Sequence, residues 1–433
     1  MKYAQAVLLL IVLLIPPVCG QELNSRTPAG RTENIQDLIE EAMSRNPGIA
    51  VGLHAMEATK AHEPQAGALM DPELTFKLME IPGTDLNRAS YANVELMQVV
   101  PFPGKLSGQR EIAELLTEHA HHDHMETMLS VVADLKRTVA MLWFARESRQ
   151  INQSSKSILT RILRSVETAY AVGQSSQQEM LKTNVELAKL EVEEARIGGA
   201  IASSESSLRA ILNRKSGDPI GVVELPAFPS VIPSYEQLLA CARENRPMLI
   251  HDSLNVLEKQ MNIGLMKKDY LPDFKFSLEY VRMPVLMENR WSFSAGLTLP
   301  IAPWTIARTS SKVQEAEAER SMLSAMFESS KNNIAAQIRT EYETLRALRA
   351  QLNAFEKTML PQTQQSIDLL LTEYETGTSS YMMLLDGYRM SNNMNLEYAM
   401  TKMKYEETLA DLEHAIGVTD IRMLATIGKD GSQ

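Results

Sequence analysis

Four of the eight histidines form the most obvious group of side chains that could do chemistry. They are His119, His121, His122 and His124. On a helix, residues three positions apart share a face, so His119 with His122, or His121 with His124, could bind one metal ion. The same spacing also suits the polar face of a long exposed helix, which needs no ligand, and we favour that interpretation. We therefore expect no metal site, with these histidines as the candidates if one exists.

Methionine sulfur is a second group with possible metal chemistry. Six of the 25 methionines fall in one predicted helix, and thioethers are soft ligands that suit Cu(I). Methionine is also a common filler of irregular gaps between packed helices. We expect these six side chains to be core residues rather than ligands. They are Met382, Met383, Met390, Met394, Met400 and Met403.

Nothing in the sequence indicates catalysis. The chain contains no Gly-rich phosphate loop, no Gly-x-Ser-x-Gly motif and no plausible pair of nucleophile and base. The formal net charge of −11, from 43 basic and 54 acidic residues, argues against nucleic-acid binding, which needs a basic face. We therefore expect neither an enzyme nor a nucleic-acid-binding protein, and we expect no cofactor.

Two long segments without Gly or Pro must position these groups. One covers the 64 residues 109–172 and the other covers the 57 residues 304–360. At 1.5 Å per residue, the first would be a helix of about 100 Å. Gly173 and Gly377 interrupt the helical pattern, which resumes almost at once, so each predicts a long antiparallel hairpin. Helices of this length with one narrow apolar stripe must pack in a coiled coil or in a wall of helices.

Short motifs recur about 200 residues apart, in the same order along the chain. Asn46-Pro47 returns as Asn245-Arg246-Pro247, and Tyr170-Ala171-Val172-Gly173 returns as Tyr374-Glu375-Thr376-Gly377. Five collinear pairs of this kind indicate a duplication in which each half builds the same supersecondary unit.

The duplication divides the mature chain into two equivalent repeats. We expect repeat 1 at residues 21–218, repeat 2 at 219–418 and a C-terminal tail at 419–433. Each repeat should begin with one helix, near 35–67 and 235–269, and continue with two strands and the long helical hairpin.

The first 20 residues are expected to be a secretory signal peptide. An apolar run from Ala6 to Ile15 is too short to span a membrane and follows a charged start. Cleavage after Gly20 would leave Cys241 as the one remaining cysteine and exclude an intramolecular disulfide. The alternative is a lipoprotein acylated on Cys19, although the residue before it is not the usual Gly, Ala or Ser.

Four segments alternate between apolar and polar residues, as half-buried strands do. Phe274, Phe276 and Leu278, for example, alternate with polar neighbours. The segments have about 8–10 residues, near the length of a membrane-spanning strand. Aromatic residues lie near segment ends, as in the girdles of membrane barrels; these are Tyr91, Tyr280 and Trp291. A soluble sheet with one wet face is the alternative.

Four strands cannot close a barrel, and an open edge cannot face lipid because its amides would be unpaired. The smallest membrane barrels have about 8 strands, so membrane-spanning strands would require several copies of the chain. Two copies would close a narrow barrel filled by its own side chains. Three copies, with 12 strands, would leave a lumen that the long helices could prolong. The expected fold class is therefore mainly α with membrane β.

Four local motifs, at residues 42–47, 98–106, 170–176 and 374–380, carry a family resemblance. On these residues the chain resembles the outer-membrane efflux proteins of the TolC type, over nearly its whole mature length. The resemblance implies a homotrimer in which each copy gives four strands to a 12-stranded outer-membrane β-barrel, continued by a long periplasmic α-helical barrel. It also implies two partners, a periplasmic membrane-fusion adaptor and an inner-membrane pump of the resistance-nodulation-division or ABC type.

The resemblance also implies roles for particular residues. Two hairpin tips should dock the adaptor, and a periplasmic gate should lie just behind the second tip. In the family the gate has two aspartates, of which the second matches Asp386 and the first falls on Met383. Three copies of Asp386 would form a cation-favouring acidic ring, and Met383 should make selectivity weaker. The tips comprise Gly173, Gln174, Ser175, Ser176, Gly377, Thr378, Ser379 and Ser380, where Ser379 replaces an Arg of the best-known member.

The expected function is that of a passive exit duct in the outer membrane. It would export small molecules or metal ions in a tripartite efflux system, driven by the inner-membrane pump through the adaptor. One alternative is the outer-membrane component of type I protein secretion with an ABC exporter. Another, from a different class, is a periplasmic coiled-coil scaffold with a soluble sheet.

Overall fold

The structure, a computed structural model, describes residues 32–79, 91–226, 228, 232–283 and 288–422. The expected signal peptide at residues 1–20, including Cys19, lies outside the described residues. The same is true of most of the expected C-terminal tail at residues 419–433, of which 419–422 are described.

The described chain is mainly helical, and one order of elements occurs twice. Each half has a short strand, two helices, two longer strands and a long helical hairpin. The strands are β1 (Thr32–Glu33), β2 (Glu73–Met79), β3 (Tyr91–Val100), β4 (Val222–Val223), β5 (Asp273–Met283) and β6 (Glu288–Thr298). The helices are α1 (Ile35–Arg45), α2 (Pro47–Ala66), α3 (Lys105–Ala171), α4 (Gln177–Ile211), α5 (Tyr235–Asn245), α6 (Pro247–Lys267), α7 (Pro303–Ala354), α8 (Leu360–Glu375) and α9 (Tyr381–Ile416).

The prediction of a single helix at the start of each half is wrong, because that segment is divided into two helices in both halves. Asn46 and Arg246 are extended, with ψ angles of 123° and 111°, and each precedes the proline that begins the next helix. A residue before proline is pushed out of the helical region, and proline lacks the N–H that would continue the helix. The Asn46 side chain then caps α2 by accepting a 2.8 Å hydrogen bond from the Gly48 N–H.

The four longer strands form one antiparallel sheet in the order β2-β3-β5-β6. The strands β3 and β5 at its centre come from different halves of the chain, so the sheet joins the two halves. Alternation places apolar and polar residues on opposite faces. One row across the apolar face consists of Phe76, Val94, Tyr280 and Trp291. A small parallel pair, β1 with β4, lies elsewhere and also joins the two halves.

The two long hairpins differ in one respect. In the first half α3 runs for 67 residues without a break, which corresponds to about 100 Å. The helix expected at 304–360 is instead interrupted by a π-helical turn at Phe355–Met359, which separates α7 from α8. Pro361 lies at the start of α8 and lacks a backbone N–H, so the regular ladder of hydrogen bonds cannot continue there.

The helix α3 is central to the packing. Near the sheet it packs against α2 and α6, and nearer the hairpin tips it packs against α4 and α9. The helices α7 and α8 complete the arrangement by packing against α6 and α9. Each half has its own apolar core, and a third core lies between the two hairpins near the tips. Within the described residues, no helix is both long enough and apolar enough to cross a membrane.

A buried polar cluster holds the end of α9 against α3. Lys136 of α3 donates to Glu413 Oε2 at 2.5 Å and to the Thr419 carbonyl at 2.6 Å. The backbone N–H of Ile421 donates to Glu413 Oε1 at 2.9 Å. Glu406 lies beside this cluster, with Oε1 buried and unpartnered among the described atoms. Burial raises the pKa of Glu406 to about 7, and the neighbouring Glu413 also raises it, against the opposing effect of Arg422.

Glu406→Gln should stabilise the protein strongly at pH 8 and much less at pH 5. The folded state binds the Glu406 proton more tightly than the unfolded state, so the wild type loses stability as the pH rises from about 4.5 through 7. Glutamine stays neutral, so the gain at pH 8 should be about 3 kcal/mol. Thermal unfolding in detergent at both pH values measures it. Glu397→Gln, on the exposed face of α9, is the control; an equal effect of E406Q at pH 5 and 8 would contradict the prediction.

Candidate functional site

Both hairpins reverse direction through the same kind of turn. Gly173 and Gly377 have positive φ angles of 77° and 75°, a left-handed conformation that glycine adopts without a Cβ penalty. In the second turn, the N–H of Thr378 returns to the Glu373 carbonyl at 2.8 Å. The next helix, α9, starts with a Ser380 side chain that accepts from the Met383 N–H. The predicted glycine turns are therefore present at both hairpin tips.

The two tips lie side by side and are connected by polar contacts. Glu179 of α4 accepts a 2.6 Å hydrogen bond from Ser175 and a longer one, at 3.4 Å, from Tyr374 of α8. Deeper in the hairpins, the hydroxyls of Thr183 and Tyr381 are 2.9 Å apart and buried. The expected docking residues of the two halves therefore form one surface at the end of the molecule.

A groove of about 310 Å³ opens between the hairpins beside the first tip. Its walls carry two guanidinium groups, Arg161 and Arg164 of α3, and one carboxylate, Glu375 of α8. Arg161 and Glu375 are 3.8 Å apart across the groove. Val172 and Tyr374 add apolar surface. The groove adjoins the eight turn residues that the sequence analysis expects to dock an adaptor.

The expected gate residues Asp386 and Met383 both lie on the surface of α9. The Asp386 side chain is 67% exposed, and Met383 is 63% exposed. The nearest cation to Asp386 is Arg389, whose Nη1 is 3.7 Å from the carboxylate. Arg389 makes its shorter contact, of 2.6 Å, with Glu186 of α4. Asp386 is therefore largely available to solvent and to other molecules.

Glu186 is the polar link between the first and second hairpins behind the tips. It accepts from Arg389 at 2.6 Å and from Lys189 at 2.9 Å. Burial raises its pKa, but the hydrogen bonds from the two cations outweigh burial and lower the pKa below its ordinary value. The carboxylate therefore stays ionised and holds α9 against α4 at neutral pH.

None of the linking residues is conspicuous in the sequence. The contacts join Thr183 to Tyr381 and Glu186 to Arg389, at separations of 198 and 203 residues. Both separations are close to the repeat offset of about 200. Equivalent positions of the two hairpins therefore face each other, and the repeat offset is the signal that could have indicated them.

The expectation that the six methionines of α9 are core residues is wrong for four of them. Met382, Met383, Met390 and Met400 are exposed, whereas Met394 and Met403 are partly buried. The buried face of α9 near the tip is instead made of leucine and tyrosine side chains, which pack against α3 and α8.

The four histidines lie in different surroundings. His119 is buried and faces His251 of α6, with ring centroids 4.9 Å apart, so the exposed-face interpretation is wrong for His119. Burial and the neighbouring His251 lower the pKa of His119. His121 is exposed, and its ring centroid is 5.4 Å from that of His122. His124 packs beside α2. Among the described residues, no three His, Cys, Asp or Glu side chains are arranged to hold a metal ion.

The sheet at the opposite end of the molecule presents an exposed apolar face. Phe293 is 70% exposed, and Phe76 and Trp291 are exposed to the same extent. The other face carries polar contacts between strands, such as Lys77 with Glu95 at 3.1 Å. A sheet that exposes its aromatic face and pairs its charges on the other is the reverse of a soluble sheet packed on a core.

An exposed apolar sheet face, long helical hairpins and paired tips are features of a membrane-associated protein. The family model described as outer membrane efflux protein matches residues 38–214 and 238–418. The chain belongs to this outer membrane efflux protein family, whose members are transport proteins. The protein is accordingly an efflux component of the outer membrane, with a helical extension in the periplasm.

Individual relatives agree with the family assignment. The cobalt-zinc-cadmium resistance protein CzcC of Cupriavidus metallidurans is 23% identical over 373 residues, which cover 83% of this chain and 85% of that protein. The structure of the outer-membrane channel OprN matches with a TM-score of 0.77 at 14% identity, covering 90% of each chain. The outer membrane protein VceC from Vibrio cholerae matches with a TM-score of 0.75 at 16% identity, covering 89% of this chain and 96% of that one. The two structures share the fold.

Arg389→Gln should loosen the second hairpin from the first. The partly exposed ion pair with Glu186 contributes about 1 kcal/mol, so amide exchange in the first turns of α9 should accelerate about fivefold. Hydrogen–deuterium exchange resolved to the peptide covering 381–390 measures this. Arg196→Gln is the matched control, because Arg196 pairs with Glu193 within α4 alone. Equal exchange in R389Q and the wild type would show that the link does not hold the hairpins together.

Proposed function

We propose that three copies of this chain form the exit duct of a tripartite efflux system. The observation that carries the proposal is the sheet β2-β3-β5-β6, with its apolar face exposed. Its outer strands, β2 and β6, have no neighbour on one side within the described residues. In lipid each of those unpaired backbone groups would cost on the order of several kcal/mol, because hydrocarbon offers no hydrogen-bond partner.

Pairing β6 of one copy with β2 of the next would remove both open edges. Each copy has four strands that alternate in direction, so β6 and the next β2 would also be antiparallel. Three copies would close a 12-stranded barrel with an aqueous interior, as barrels with more strands have wider interiors. The polar face, with Lys77, Glu95 and Glu279, would line that interior.

The helices would continue the duct below the sheet. The exposed side of α4 carries apolar residues at helical spacing, Leu181, Val185 and Val192. The outer side of α8 exposes Leu369. Both surfaces are exposed in a single copy, and neighbouring copies would cover them. The periplasmic wall would then consist of helices from all three copies.

This geometry and the relatives support the expected partners. The paired tips and the Arg161 groove would receive the helical hairpin of a periplasmic membrane-fusion adaptor, and an inner-membrane pump would supply the energy. Resemblance to a cobalt-zinc-cadmium resistance protein supports metal ions as cargo beside small molecules.

Asp386 would face the axis as the gate ring, with Met383 beside it. Within the chain, we propose a removed segment at 1–20, repeats at 21–218 and 219–418, and a tail at 419–433.

Phe293→Arg should prevent stable insertion of the trimer into the outer membrane. Phe293 lies mid-strand on the apolar face, opposite Leu278, where a charge facing lipid costs roughly 2–4 kcal/mol. The yield of detergent-extracted, heat-modifiable trimer from outer-membrane fractions measures insertion. Ser294→Arg is the matched control, because the neighbouring side chain points to the polar face and should be tolerated. Normal trimer yield from F293R, or a soluble detergent-free chain in the wild type, would contradict the proposed duct.

Ser379→Glu should weaken adaptor docking without affecting assembly. The substitution adds a charge at a tip surface that an adaptor would cover, and burying that charge without a partner is unfavourable. Site-specific cross-linking to the purified adaptor should fall about tenfold, equivalent to about 1.4 kcal/mol. Thr340→Glu, at an exposed position on α7 remote from the tips, should cross-link normally. Full cross-linking in S379E would remove the second tip from the docking surface.

A further inference from the structure

The exposed side of α9 carries a regular row of side chains behind the second tip. Met383, Asp386, Met390, Asn393 and Glu397 follow one another at intervals of three and four residues. This spacing places them on one side of the helix. Met390 is 48% exposed, less than Met383 but still accessible. Met400 extends the exposed row further along the helix.

The row points away from the other helices of the same copy. Near the tip, α9 packs against α3 and α8 through Leu384, Leu385 and Tyr388. It reaches α4 through Tyr381 and Arg389. Helices of the same copy, α3, α4 and α8, therefore cover α9 on the side opposite the row. A second copy that joins at α4 and α8 would therefore leave the row uncovered.

Thioethers in this position call for a chemical explanation. Methionine is among the residues most often buried, because its side chain is apolar. Here it alternates with Asp386, Asn393 and Glu397, whose charges and amide make the row too polar for a protein core. A thioether is a poor ligand for hard cations such as Mg²⁺ or Ca²⁺, which prefer oxygen. It is a good ligand for soft monovalent ions, Cu(I) and its analogue Ag(I).

We propose that Met383 and Met390 of the three copies bind soft monovalent cations, Cu(I) or Ag(I), at the periplasmic gate. This inference rests on the proposed function, in which Asp386 faces the axis of the duct. The two methionines flank Asp386, three residues before it and four after it, and are about 10 Å apart along the helix. Three copies would give two sets of three thioethers separated by a ring of carboxylates. The carboxylates would attract the cation and the thioethers would select it.

The arrangement provides a site through which cargo can pass. Neutral thioethers bind more weakly than thiolates, which would hold the ion too tightly for transport. Two successive sites allow an ion to leave one for the next, as conduction requires binding that is weak and repeated. The cargo class that this row favours is therefore a soft monovalent cation, in addition to whatever larger molecules the open duct passes.

Silver block of single channels tests the proposal. Purified trimers in planar bilayers, bathed in nitrate salts, are titrated with silver nitrate while conductance is recorded. All proteins carry Cys241→Ser, which removes the one described thiol. Silver should reduce the conductance of the parent protein. The double variant Met383→Leu/Met390→Leu, which keeps side-chain volume, should need about tenfold more silver for half block, equivalent to about 1.4 kcal/mol.

A second pair of exposed methionines provides the matched control. Met322 and Met326 are exposed on α7, away from the row, so M322L/M326L should be blocked as the parent is. Equal block of M383L/M390L and the parent, or a normal channel that silver does not block, would overturn the cation site and leave the duct standing. Absence of any channel from the parent protein would overturn the proposed function itself. Unchanged conductance in Asp386→Ala would remove this face of α9 from the axis, and with it the site.

Discussion

Hydrocarbon offers no hydrogen-bond partner to a backbone amide, and the two outer strands of this sheet each have an edge that no other described strand covers. That constraint determines what a single chain can do. A sheet with Phe293 and Trp291 exposed on one face suits lipid, but its open edges do not, until another copy supplies the missing strands. If the sheet closes around an interior in the proposed trimer, the helices that follow the strand pairs would be placed in a ring as well. The proposed duct would thus be a consequence of backbone pairing, and the side chains would determine its size and lining.

Much of the fold could be predicted from the sequence, because it depends on local periodicity. Strand alternation, the absence of Gly and Pro from 109–172, and the glycines at both turns are local signals, and each corresponds to an element of the structure. The breaks at Asn46 and Arg246 also had a local signal, which is the proline that follows each of them. That signal was overlooked because the helical pattern continues on both sides of the proline. The π-helical turn at Phe355–Met359 had a weaker local signal, because Pro361 lies after the turn rather than within it.

The site could be predicted less well, because its contacts are between residues far apart in the chain. The turn residues were identifiable, but Glu186 and Arg389 become partners only when the two hairpins pack side by side. The burial of individual side chains was harder still to predict. His119 belongs to a polar run and yet is buried against His251, while Met383 belongs to an apolar residue type and yet is exposed. Both outcomes depend on which face of a helix meets a neighbour, and hydrophobicity alone does not fix that when the stripe is narrow.

The difference between the two hairpins has a mechanical consequence. A continuous α-helix such as α3 resists bending along its whole length, whereas a π-turn is a common place for a helix to bend. In a ring of three copies, continuous stiff helices such as α3 would therefore alternate with helices that bend at the π-helical turn. Sideways force on the tips would be absorbed at Phe355–Met359 and would not reach the sheet. In the proposed trimer the aperture at the tip end would then widen while the diameter at the membrane end stays constant, so opening would leave the seal in the outer membrane intact.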